Sequence, residues 1–75
     1  MKDTVLEVLK EHFGDKDFSD NVHLIDDLGA DEFDLVELSV ALDSKLDISL
    51  DEVKILEVAT VADLIKLVEA HVGSN

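Results

Sequence analysis

The sequence predicts an all-α fold: a small bundle of three longer helices and one short helix, with a long loop between the first and second. Three observations carry this expectation. Apolar residues recur at helical spacing along most of the chain, and strand-like alternation is scarce. No proline interrupts the periodic stretches. The glycines Gly14, Gly29 and Gly73 fall between or after them, where chain reversals belong. With 75 residues the chain suffices for one domain, residues 1–75. A hydrophobic fraction of 47% supports a folded core despite 33% charged residues. There is no cysteine, so neither disulfides nor thiolate metal sites can reinforce the core, and helix packing must supply stability.

Residues 3–13 read as the first helix, with Thr4 and Glu7 spaced as a capping box and Leu6, Leu9 and Phe13 along one face. Gly14 ends it. Residues 15–30 form an acidic, irregular loop whose apolar anchors are Phe18, Val22, Leu24, Ile25 and Leu28. Connections in helical bundles usually run about 2–8 residues, so a loop this long is expected to be functional or pinned by its anchors. Asp31 caps a second helix running to Leu46 or Asp47. Ser49 and Glu52 offer the start of a short third helix through Glu57. Thr60 and Asp63 open the last, whose stripe is Val61, Leu64 or Ile65, Val68 and Val72.

The second helix carries two apolar stripes. Leu35, Leu38, Leu42 and Leu46 form one, and Phe33, Val36 and Val40 form another on the roughly opposite side. Glu32, Glu37, Asp43 and Asp47 flank the second stripe, whereas the leucine stripe has no acid on its own line. The leucines therefore belong to the core. Phe33, Val36 and Val40 become an apolar strip rimmed by carboxylates, the anatomy of a docking surface. The alternative is that the strip packs under the long loop.

Nineteen acidic residues against six basic ones give a formal net charge of −13. Binding to a phosphate backbone needs Lys and Arg, so nucleic acid is excluded as a partner. Anionic membrane surfaces repel such a chain, and no apolar run approaches the roughly 20 residues that span a bilayer, so no membrane insertion is expected. A partner that docks electrostatically must be basic, and the chain itself is expected to be a monomer. The opening Met1-Lys2-Asp3-Thr4 is unlike a targeting segment, which implies a cytoplasmic setting. No nucleophile–base pair, glycine-rich phosphate loop or paired-carboxylate cleft is recognisable, so the expectation is a protein that is not an enzyme.

Asp15, Asp17, Ser19 and Asp26 fit part of an EF-hand count, but Asp20 stands where the turn glycine belongs and Asp26 where a bidentate Glu belongs. No specific metal site is expected, only weak divalent-ion binding at Asp15, Asp17, Asp26 and Asp27. An acidic ion-binding module remains a second alternative. His12, His23 and His71 show no metal-ligand spacing.

The stretch Asp26-Asp27-Leu28-Gly29-Ala30-Asp31-Glu32-Phe33-Asp34-Leu35-Val36-Glu37-Leu38 resembles the signature of the acyl carrier protein family, in which Asp-Leu-Gly-Ala-Asp-Ser-Leu-Asp opens the second helix. Asn21-Val22-His23-Leu24-Ile25 resembles the family's loop anchors. Leu46-Asp47-Ile48-Ser49-Leu50-Asp51-Glu52 resembles its turn before the third helix, with Asp51 where proline is usual. Thr60-Val61-Ala62-Asp63-Leu64 resembles the start of its last helix. The resemblance implies an acyl-carrier-protein-like domain of fatty-acid or polyketide-type biosynthesis. Its implied partners are basic surfaces of biosynthetic enzymes or assembly proteins.

In that family the serine after Gly-Ala-Asp carries 4′-phosphopantetheine; here the position is Glu32, between Asp31 and Phe33. A carboxylate is a poor nucleophile for the attachment, and its product would be a labile acyl phosphate. The sequence as written is therefore expected to carry no such cofactor. Ser39 lies about 10 Å further along the helix at 1.5 Å per residue, and neither it nor Ser19, Ser44, Ser49 or Ser74 has the Gly-Ala-Asp context. Glu32 is either a fixed imitation of the phosphodiester's charge or simply a favourable first-turn acid. The alternative to a non-carrying relative is a genuine carrier whose working form has serine at position 32.

Overall fold

The computed structural model describes residues 2–72, so Gly73 and Ser74 lie outside the described residues. Four helices follow one another: α1 (Lys2–Phe13), α2 (Glu32–Leu46), α3 (Glu52–Ile55) and α4 (Val61–Val72). The structure is the all-α bundle the periodicity predicts, three longer helices and one short one. Its strand-like pairing, among the described residues, is one isolated antiparallel bridge between His23 and Thr60. α1 packs on α2 and on α4, while α3 touches α2 and α4.

The helix boundaries follow from capping chemistry. α1 begins upstream of the expected cap, so Thr4 lies inside it, and the Glu7 carboxylate accepts a hydrogen bond from Lys45 Nζ at 2.9 Å instead of closing a box. Gly14 ends α1 with φ +84°, a left-handed conformation that costs a side-chain-bearing residue more than glycine; its N–H donates to Lys10 O at 2.8 Å. α2 spans the range expected of it and stops at Asp47, whose backbone is left-handed with φ 54°. The cap of α3 is Asp51, not Ser49: its Oδ1 accepts from the amides of Val53 (2.8 Å) and Lys54 (3.2 Å). An ionised carboxylate at the head of the helix outcompetes a hydroxyl two residues upstream. The same bonds hold the Asp51 pKa below the ordinary carboxylate value. α3 ends at Ile55 with Leu56 as its cap, short of Glu57. α4 opens with a reciprocal box: the Asp63 amide donates to Thr60 Oγ1, and the Thr60 amide donates to Asp63 Oδ2, both at 3.2 Å.

The core takes Val5, Val8 and Leu9 from α1, the leucine stripe Leu35, Leu38 and Leu42 from α2, and Val61, Leu64, Ile65 and Val68 from α4. Ile55 and Val58 close it from the α3 side. On α1 the buried face is Val5, Val8 and Leu9, with Leu6 and Phe13 only partly covered. One wheel position separates the two readings, and the packing of α1 against both α2 and α4 draws the valines inward.

The long loop is fastened rather than loose. Leu24 is fully buried, and Phe18, Val22 and Leu28 pack against the core at its edge. Backbone bonds sew the loop to the segment entering α4: the Leu24 amide donates to Ala59 O, Val61 to Val22 O and Ala62 to Asp20 O, at 3.0–3.1 Å. Ile25 is the exception among the expected anchors, for it stands half exposed. Residues 24–28 form a run of turns, closed by the Asp27 and Leu28 amides on His23 O and the Gly29 amide on Ile25 O, which buries Leu24 and leaves Ile25 facing outward.

Candidate functional site

The head of α2 is built by one reciprocal pair. Asp34 donates its amide to Asp31 Oδ1 at 2.9 Å, and Asp31 donates its own amide to Asp34 Oδ2 at 3.0 Å. The other Asp34 oxygen lies 2.8 Å from His12 Nε2 at the end of α1. The His12 hydrogen bond and the Asp31 amide together hold the Asp34 carboxyl below the usual carboxylate pKa. Asp31, Asp34 and His12 thereby fix the direction in which α2 leaves the loop. Gly29, at φ +73°, makes the turn just before it.

Glu32 and Phe33 follow immediately on this fixed cap. Glu32 is exposed in the first turn, where the helix dipole favours a negative charge. Phe33 is 71% exposed, an unusual setting for an aromatic residue. Val36 and Val40 are exposed on the same line, with Val40 at 62%. The two stripes of α2 are thus parted by the fold: the leucines go inward and Phe33, Val36 and Val40 remain outside. They do not pack under the loop.

The acids around the strip differ in kind. Glu37 and Asp47 are exposed. Asp43 is half-buried, and its Oδ1 accepts the Leu50 amide at 2.9 Å, so its carboxylate fastens the segment after α2. A helical wheel shows where Asp43 points but not the loop amide that returns to meet it.

Sequence reasoning missed part of the exposed apolar surface. Ile25, Val53 and Leu56 are also exposed. Every large apolar residue exposed among the described residues belongs to α2, to α3 with its cap Leu56, or to the loop before α2, and none to α1 or α4. The signal was present in α3: Ile55 and Val58 are spaced i, i+3, and so are Val53 and Leu56, and a single helical turn cannot bury both pairs. Charge is segregated in the same sense. From Asp17 through Ser44 the chain carries acids and one histidine but no Lys or Arg. Lys45, which follows, turns toward α1 and pairs with Glu7 and Glu11.

The loop carboxylates are engaged locally. Asp17 accepts from the amide and the hydroxyl of Ser19, which lowers its pKa, and Asp27 accepts the His23 amide at 2.8 Å. Asp15 pairs with Lys10 at 3.3 Å, and Asp26 is exposed. Among the described residues no group of three or more His, Asp or Glu gathers in a way that could hold a metal ion. No helix of the described residues is long and apolar enough to cross a membrane.

Over residues 1–68 the sequence matches the family described as the phosphopantetheine attachment site. It is 31% identical to the acyl carrier protein of Thermotoga maritima over 71 residues, covering 92% of this chain and 88% of that one. It is 38% identical to the acyl carrier protein of Sulfurovum sp. over 69 residues, with 89% and 92% covered. A shorter match, 43% over 47 residues, joins it to the acyl carrier protein of Clostridium acetobutylicum, covering 63% of this chain and 61% of that one. The α-helical bundle, the capped second helix and these likenesses agree: the chain belongs to the acyl carrier protein family.

Proposed function

We propose that this protein is a member of the carrier family that docks basic partner enzymes through α2 but does not carry 4′-phosphopantetheine. The observation that carries the proposal is the pairing of Glu32 with an exposed apolar strip. Glu32 follows Gly29-Ala30-Asp31, where the family signature has the attachment serine. The residues present do not fit the covalent group. Attachment as a phosphodiester requires a hydroxyl oxygen, and the side chain at the head of α2 offers a carboxylate. The hydroxyl next along the helix, Ser39, is buried at 3% exposure on the core side. Ser19 is occupied by Asp17, and Thr60 Oγ1 by the α4 cap.

The docking half rests on Phe33, Val36 and Val40, ringed by Glu32, Glu37 and Asp47, in a chain of net charge −13. An apolar centre supplies affinity by desolvation, and the acid rim supplies orientation and association rate toward a basic surface. The cytoplasm, where enzymes of fatty-acid or polyketide-type synthesis act on carriers, is the setting this reading implies.

Two variants test the halves separately. Glu32→Ser, incubated with coenzyme A and a holo-synthase, is expected to gain the mass of one phosphopantetheine while the native chain gains none. Modification of the native chain would end the non-carrier reading. Glu37→Lys is expected to weaken binding to a basic partner about tenfold or more at low salt, and unchanged affinity would end the docking reading.

A further inference from the structure

Resting on that reading, we infer that the protein is a dead-end competitor. It occupies the carrier-binding face of the enzyme that transfers phosphopantetheine from coenzyme A to carrier serines, and so lowers the rate at which serine-bearing carriers are loaded. Charge and shape point to this occupant. Phe33, Val36 and Val40 stand exposed along one line of α2, and the stretch from Asp17 through Ser44 that contains them holds no Lys or Arg. The complementary surface is therefore basic at its rim and apolar at its centre.

An enzyme that delivers a phosphate-linked group must present cations where that phosphate arrives. Glu32 places a permanent carboxylate at the point where the cap of α2 presents it, and Phe33 beside it offers an aromatic anchor of the kind that dominates interface energetics. A serine-bearing carrier accepts the group and leaves as product. A chain with Glu32 presents no hydroxyl oxygen there to form the stable phosphodiester, so the bound complex ends by dissociation. Glu37 lies exposed on the same helix face and outside the core, so it can be changed without disturbing the fold.

The experiment is a loading assay with the transferase and a serine-bearing carrier from the cell that makes this protein, using labelled coenzyme A. Increasing amounts of this protein are expected to raise the apparent KM for the carrier fivefold or more while kcat stays constant, with no label on this chain. Glu37→Lys, shown folded by its helical circular dichroism, is expected to lose most of that inhibition. Direct titration of the transferase separates the two ways of failing. Binding without any effect on KM, or a fall in kcat alone, overturns the competition and leaves docking intact. Absence of binding overturns the competition and counts against the docking reading as well, whereas label on this chain overturns the dead end.

Discussion

His12 Nε2 lies 2.8 Å from Asp34 Oδ1, so the last turn of α1 is tied to the same carboxylate that closes the cap of α2. One side chain thus joins helix initiation to helix packing. The Asp34 pKa is lowered, first by the His12 hydrogen bond and then by the Asp31 amide. A carboxylate whose folded pKa is depressed contributes stability that is complete above its unfolded pKa and is lost as pH falls through the folded value. Wild type is therefore expected to melt higher than Asp34→Asn at neutral pH, with the gap closing through the acid range. Asp26→Asn, at an exposed loop carboxylate, controls for the change in net charge. A gap that persisted unchanged in strong acid would show that the bridge is not what stabilises α2.

The two stripes of α2 predict opposite sensitivities. Leu42→Ala opens a cavity in the core and is expected to cost about 2–5 kcal/mol, a large part of the stability of so small a domain. Val40→Ala removes an exposed side chain and is expected to stay within about 0.5 kcal/mol. Chemical denaturation of the two variants decides the assignment of faces independently of any partner.

Asp43 is expected to behave differently from Glu37, although both flank the strip. Asp43→Ala leaves the Leu50 amide without its acceptor and is expected to lower stability by about 1 kcal/mol, whereas Glu37→Ala leaves stability nearly unchanged. Thermal melts of both check this. Equal shifts would mean that the Asp43–Leu50 bond contributes nothing.

A net charge of −13 on 75 residues also stores repulsion in the native state. Raising the salt from about 10 mM to about 150 mM, which shortens the screening length from about 30 Å to about 8 Å, is expected to raise Tm, and magnesium more so. A flat response would show that ion pairs such as Lys45 with Glu7 and Glu11 already balance the acids.

Much of the fold was legible because helical period and capping chemistry are both local. The leucine stripe of α2, its Asp31 cap and the Thr60–Asp63 box of α4 depend on residues a few positions apart. What escaped depended on partners brought from a distance. Asp43 finds its amide seven residues on, Asp34 finds His12 22 residues back, and Ile25 is turned outward by the pairing of its neighbour Leu24 with Ala59. The choice of Asp51 over Ser49 was local, yet two plausible caps in a row give no periodic signal to separate them. The exposed apolar surface was half visible, since the α2 strip was readable, whereas the exposure of Val53 and Leu56 required knowing which residues of a four-residue helix and its cap turn inward.

The stitching of the long loop to the start of α4 has a kinetic consequence. The amides of Leu24 and Val61 are each held by carbonyls from the opposite segment, across more than thirty residues of chain. Neither can be released by fraying of one helix alone, so both are expected to exchange with deuterium only when the two segments part, at a rate shared with the deepest core amides. The bundle would then open as a unit, and a protease would find this loop resistant despite its length and its lack of helix.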